Sequence, residues 1–140
     1  MPALLNNVVI TAPVTTVVGP VLQVRAPTAV PFNAVLQGML AYGSGGTTID
    51  AWVQTSLDGG GTWTDIANFH FTTAVARFIF NLSSLTPVTT QYTPTDGTLA
   101  ANTAKDGILG SHYRVKYTST GTYAGNTQLS VDIETTGLTA

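Results

Sequence analysis

A period of two governs this chain. Segment after segment alternates apolar with polar residues and then meets a proline or glycine break before reaching the length of a helix. Phe32, Ala34, Leu36, Leu40 and Tyr42 share one face of a candidate strand, opposite Asn33, Gln37 and Ala41. Beyond the glycine-rich residues 43–46, Ile49, Ala51, Val53 and Thr55 alternate with Asp50, Trp52, Gln54 and Ser56, so these two strands are expected to pair as a hairpin. A second turn at 57–61 leads into a strand at 62–69. In 75–82 three large apolar residues stand in succession, Phe78, Ile79 and Phe80, which predicts a strand covered on both faces. The chain closes with strands at 111–119 and 128–135, whose apolar sets are Tyr113, Val115, Tyr117 and Leu129, Val131, Ile133, with Gly121 and Gly125 marking the loop between them.

Seven or eight such strands predict an antiparallel, all-β sandwich, jelly-roll-like, and the lack of a fixed-period repeat argues against propellers and solenoids. Charged residues make up only 9% of the 140, against about 25% in an ordinary soluble domain. Thr, Ser, Asn, Gln and Gly supply the polarity instead, and abundant β-branched Thr favours strand over helix. With 44% apolar residues the chain can build a core, and it reads as a single domain, 1–140. A formal charge of -2 gives weak repulsion between copies, so a homo-oligomer or an assembly component is expected.

Two regions depart from the alternation. Residues 1–30 hold short β-branched runs broken by Pro2, Pro13, Pro20 and Pro27, which predicts an extended arm with edge strands near 8–11 and 14–18 and a short candidate at 21–25. Residues 83–110 carry Pro87, Pro94 and two Asp-Gly pairs without alternation, with a helical turn expected at 99–105. A loop this long in a compact domain usually has a function. The candidate contacts for a partner or sister subunit are therefore Leu4, Leu5, Val8, Val9, Val14 and Val17 in the arm, and Tyr92, Leu99, Ile108 and Leu109 in the loop.

Reaction chemistry finds little footing in these residues. Arg25, Arg77, Lys105, Arg114 and Lys116 form no stripe able to neutralise a run of phosphates, so nucleic acid is not an expected partner. No stretch approaches 18 consecutive apolar residues, and no membrane partner is expected. Without cysteine, and with only His70 and His112, the chain has no pattern for a zinc site, and neither metal nor cofactor is expected. Asp58, Asp96 and Asp106 each precede a glycine, and Asp132 and Glu134 lie on a polar strand face, so no catalytic residue is assigned and a non-enzymatic role is expected. The run Ser56-Leu57-Asp58-Gly59-Gly60-Gly61-Thr62-Trp63 resembles the Asp-box of sialidases and of many unrelated β-proteins. Ser56, Asp58, Gly60, Thr62 and Trp63 are expected to shape that turn. Trp52, Trp63, Tyr92, Tyr113, Tyr117 and Tyr123 are the candidates for a sugar-stacking platform, against the commoner fate of core or interface packing.

The proline-broken amino-terminal arm, AWVQTSLDGGGTWTDIANF at 51–69, PTDGTLAANTAKDGILG at 94–110 and SHYRVKYTSTGTYAGNTQLSVDIE at 111–134 resemble the small capsid decoration, or cement, proteins of tailed bacteriophages. The resemblance implies a jelly-roll or β-sandwich subunit, commonly a homotrimer, that sits on the capsid surface of the virion after assembly in the host cytoplasm. Its partner would be the major capsid protein, whose subunits it bridges. The alternatives are a carbohydrate-binding module and a structural component of a phage tail or neck.

Overall fold

The computed structural model describes residues 2–24 and 31–137; Arg25, Pro27 and the side chain of Phe32 lie outside the described residues. In chain order the strands are β1 (Ala3–Val9), β2 (Val14–Val18), β3 (Leu22–Gln23), β4 (Pro31–Ala41), β5 (Ser44–Gly45), β6 (Thr48–Ser56), β7 (Thr64–Phe71), β8 (Ala76–Ser83), β9 (His112–Thr120), β10 (Tyr123–Ala124) and β11 (Gln128–Gly137). All pairings are antiparallel, and there is no helix among the described residues. Three strands have only 2 residues. The longer ones form a β-sandwich of two sheets, ordered β1-β11-β4-β8 and β2-β9-β6-β7, with β3 also pairing β9 and β5 pairing β10 in a small ribbon.

The alternation explains the two layers. Ala34, Leu36 and Leu40 of β4 and Leu129, Val131 and Ile133 of β11 project from one sheet. Ile49, Ala51 and Val53 of β6, Phe69 and Phe71 of β7, and Tyr113, Val115 and Tyr117 of β9 meet them from the other. Gly38 of β4 sits inside this layer, where a Cβ would stand 2.6 Å from Cγ of Phe69. Its missing side chain lets the Phe69 ring press against the β4 backbone and reach Phe80, with ring centroids 5.2 Å apart.

Four sequence expectations need correction. The glycine-rich segment 43–46 does not make a hairpin, since β4 pairs with β11 and β8 whereas β6 pairs with β7 and β9. Two strands with one apolar face each can lie side by side or face to face, and alternation alone does not choose. Here Gly43 packs directly on the carbonyl of Gly125 and Gly46, at φ 72°, on the Tyr123 ring, so the chain turns a tight corner between sheets.

The amino-terminal segment is not an arm that reaches away. β1 pairs with β11, and β2 and β3 pair with β9, so the segment closes one edge of both sheets of its own sandwich. Leu4 and Leu5, expected as partner contacts, are core residues at 1% and 4% exposure, and Ile10 joins them. Phe78 and Ile79, expected to be covered on both faces, are 42% and 53% exposed, because β8 is the outermost strand of its sheet. No helical turn forms at 99–105; Ala104 bridges to Ala67 of β7 instead.

The Gly38–Phe69 contact gives a test of the packing. Gly38→Ala is expected to lower stability in urea unfolding by about 1–3 kcal/mol, the usual cost of overfilling a packed layer. Phe69→Leu in the same chain should recover part of that loss, and an unchanged midpoint for Gly38→Ala would mean that the ring yields freely.

Candidate functional site

The outer face of the β6–β7 hairpin should be solvated by its alternation, yet Trp52, Gln54, Asp65 and Asn68 are at most 9% exposed. The chain between β8 and β9 covers them. Asp65, wholly buried, accepts hydrogen bonds from the amides of Gly97 (2.8 Å), Thr98 (3.0 Å) and Leu99 (3.1 Å) and from Oγ1 of Thr95 (2.8 Å). Its own amide donates to the carbonyl of Thr95 at 2.9 Å. Successive amides turned toward one point make a concave anion receptor, and the receptor is filled by a carboxylate of the same chain.

Loop and hairpin are laced together on both sides of that anchor. Nε1 of Trp52 donates to the carbonyl of Leu99 at 2.9 Å, and the amide of Asn102 donates to Oδ1 of Asn68 at 3.2 Å. The amides of Asn68 and Lys105 donate to the carbonyls of Thr103 and Ile66, which lays the loop along the free edge of β7. A register shift in the β6–β7 pairing at Val53/Gln54 accompanies this, as one extra residue on β7 re-aims Asp65.

Charge gathers at the same place. Of five basic and seven acidic residues in the chain, Arg114, Lys116, Asp65 and Asp96 meet here. Nε2 of Gln54 donates to Oδ1 of both Asp65 (2.8 Å) and Asp96 (2.6 Å), while Oε1 of Gln54 accepts from Nε of Arg114 (2.8 Å). Lys116 donates to Asp96 at 2.6 Å. That hydrogen bond is the main reason why the Asp96 carboxyl is held below the ordinary carboxylate range. Burial lowers the pKa of the Arg114 guanidinium, opposed by Asp96 and Asp65. Its guanidinium carbon lies 4.3 Å from the centre of the Trp63 ring.

Trp63 ends the second polar constellation, the turn at 56–63. Oδ1 of Asp58 accepts from Oγ of Ser56 and from the amide of Thr62, both at 2.8 Å, and Oδ2 accepts from Oγ1 of Thr62 at 2.8 Å. The amide of Gly60 donates to Oγ of Ser56 at 2.8 Å. These bonds, the Thr62 amide foremost, lower the pKa of Asp58 to about 2. Asp106 does similar work beside β8, accepting from the amide of Ser83 (2.7 Å) and from Oγ1 of Thr86 (2.9 Å), which also lowers its pKa. Nδ1 of His70 lies 2.8 Å from Oδ1 of Asp50, and that of His112 lies 2.8 Å from Oγ of Ser111. No cluster of three or more His, Asp or Glu side chains suited to a metal ion occurs among the described residues.

The candidate contact residues scatter. Leu4, Leu5 and Leu109 are in the core; Val8, Val14 and Val17 pack half-buried against it; Val9 is 50% exposed. In the loop Tyr92, Leu99 and Ile108 are half-buried, with Nζ of Lys105 4.4 Å from the centre of the Tyr92 ring. Among the candidate sugar platform, Trp52, Tyr113, Tyr117 and Tyr123 are buried, and Trp63 and Tyr92 each carry a cation over the ring. Sequence reasoning missed Asp65 and Gln54. Neither carries a local signal, and the loop partners of Asp65 stand 30 or more residues away. Comparison with known proteins returns no match to a family model, a curated protein or a solved structure.

Two predictions follow from these carboxylates. Asp65→Asn sets an amide donor against backbone donors and removes a buried charge, so it is expected to cost about 3 kcal/mol in urea unfolding. Hydrogen exchange at 97–99 should accelerate at least tenfold, and unchanged protection there would show that the loop is held by other contacts. At Asp58 the folded-state pKa lies below the ordinary value, so its contribution is complete above about pH 4 and is lost as pH falls through about 2. The amide resonance of Thr62 should titrate with a midpoint near 2 and cease to do so in Asp58→Asn; a midpoint near 4 would refute this account of the turn.

Proposed function

We propose that this chain is a non-enzymatic virion structural protein, a jelly-roll subunit that binds the outer surface of a tailed-phage capsid and stabilises the shell by bridging major capsid subunits. The observation that carries this reading is the order of the strands. With the eight longer strands numbered in sequence, the sheets run 1-8-3-6 and 2-7-4-5, and every connection except β6–β7 crosses between sheets. That order is the winding of two interlocked Greek keys, a plan that recurs in viral capsid and lectin domains. Between those two uses, the inward or cation-capped placement of Trp and Tyr favours the former, since a sugar-binding face needs rings open to solvent.

The physical case rests on rigidity and neutrality. A loop fastened by a buried carboxylate docks with little ordering cost, and a surface poor in charge loses little solvation when covered. Each contact is modest, and shell symmetry multiplies it. Val9, Val18 and Val21, at 50%, 47% and 53% exposure, lie on the β1–β2 side of the sandwich and are the proposed capsid contacts.

Deleting residues 1–18 would remove core side chains, so the contact is tested with substitutions instead. The purified chain should cosediment saturably with shells built from the major capsid protein of its own phage and should raise their thermal resistance. Val18→Asp with Val21→Asp should weaken that binding at least tenfold while leaving the fold intact. Failure of the unaltered chain to bind the shells, or to change their resistance, would overturn the proposal.

A further inference from the structure

A sandwich of this kind has four sheet edges, and three are blunted. β1 has register shifts between Ala3 and Leu5 and between Leu5 and Val8, with Asn7 at φ 49°; β2 has one between Val14 and Val17 and lies between Pro13 and Pro20. β7 is covered along part of its edge by the bonds from Thr103 and Lys105. Such irregularities and covers are how sheet proteins avoid unwanted strand pairing. β8 has no register shift, proline or covering strand, and is capped only at its last residue, where Asp106 accepts from the amide of Ser83. It runs eight residues in unbroken register against β4, from Ala76↔Leu40 to Ser83↔Asn33, and pairs with no other strand among the described residues.

The same strand is apolar where it is open. Of the large hydrophobic residues exposed by more than a third, Val75, Phe78, Ile79, Leu85 and Val88 lie on β8 or within a few residues of it. Two concavities flank the strand. One of about 450 Å³ is lined by Phe69, Phe78, Ile79 and Phe80 together with the polar His70, Thr72 and Asn102, and another of about 380 Å³ by Met39, Leu40, Ala41, Val75, Ala76 and Arg77. A long, regular, apolar edge with receptive hollows on both sides is built to be covered by another strand.

The sequence of β8 says which strand. Arg77-Phe78-Ile79-Phe80-Asn81 reads polar, aromatic, aliphatic, aromatic, polar from either end. An antiparallel partner with the same sequence, centred on Ile79, would therefore match it position by position. We propose that β8 pairs with β8 of a second copy across a two-fold axis normal to the sheet, joining two four-stranded sheets into one of eight. In that register Ile79 faces its own copy on the outer surface, and Phe78 faces Phe80 of the second copy on the inner side. Arg77 lies opposite Asn81, so the two Arg77 cations are four residues apart along the ladder and no like charges meet. Aromatic pairs directly opposite one another are among the favourable cross-strand contacts, and a two-fold axis uses each of them twice. This pairing leaves the β1–β2 side free, and it stands or falls without any capsid present.

Sedimentation equilibrium of the full chain alone, at micromolar concentration, is expected to give the mass of two chains. Ile79→Lys puts two cations face to face at the axis and should return the mass to one chain with the circular dichroism unchanged. As the native chain has no cysteine, Ile79→Cys should form an intermolecular disulfide under mild oxidant, whereas Val18→Cys on β2 should not. A wild-type mass of one or three chains, a dimer that survives Ile79→Lys, or equal crosslinking from position 18 would each overturn the proposal.

Discussion

A carboxylate without contact to solvent must find its hydrogen-bond donors inside the protein, and Asp65 finds all but the one from Gln54 in chain that follows it by 30 residues or more. That one requirement organises half the molecule. Three loop amides and a threonine hydroxyl converge on it, and Gln54, Asp96, Arg114 and Lys116 form a balanced set of charges and dipoles around it. A buried charge so satisfied adds little net stability over an apolar substitute, but it tolerates few alternative arrangements. Its contribution is a single, definite path for a long segment that has neither alternation nor helix to guide it.

The loop in turn changes what the sheets can present. By covering Trp52, Gln54 and Asn68 it gives the β6–β7 hairpin two buried faces, and by lying along β7 it takes away one reactive edge. The amino-terminal strands do the same at the opposite side, where Leu4, Leu5 and Ile10 lock them into the core. Among the described residues the large apolar side chains left open are the valines of the β1–β2 side, those on and near β8, and Leu57 in the turn at 56–63. A body whose long loop is fastened loses little conformational entropy when its surface is covered.

Tight interlayer packing supplies the remaining rigidity. Phe69 lies over Gly38 and against Phe80, Phe71 packs with Phe78 at 5.5 Å between centroids, and Tyr123 donates to the carbonyl of Thr72 while its ring packs on Gly46. These contacts tie β4, β7 and β8 to the corner formed by the small β5–β10 ribbon. The two sheets therefore act as one unit, with the β8 edge presented by a firm support.

Strand existence and inward-facing residues were legible in the chain itself, because side chains alternate across a strand whatever its neighbours are: Leu36, Leu40, Val115, Tyr117, Leu129 and Ile133 point inward as their spacing requires. The turn at 56–63 was legible for a like reason, since Asp58 and its glycines act over a few residues. Strand partnership was not. The same apolar face allows β4 to lie beside β6 or to face it, and only contacts such as Gly43 on Gly125 decide for the corner. Nor could Leu4 and Leu5 be told from surface anchors, or Asp65 from a solvated carboxylate, because each owes its environment to residues remote in sequence. Local stereochemistry determines which residues can form a strand and which way they face; who covers them is decided only when the whole chain has closed, since burial is a property of the assembled layers.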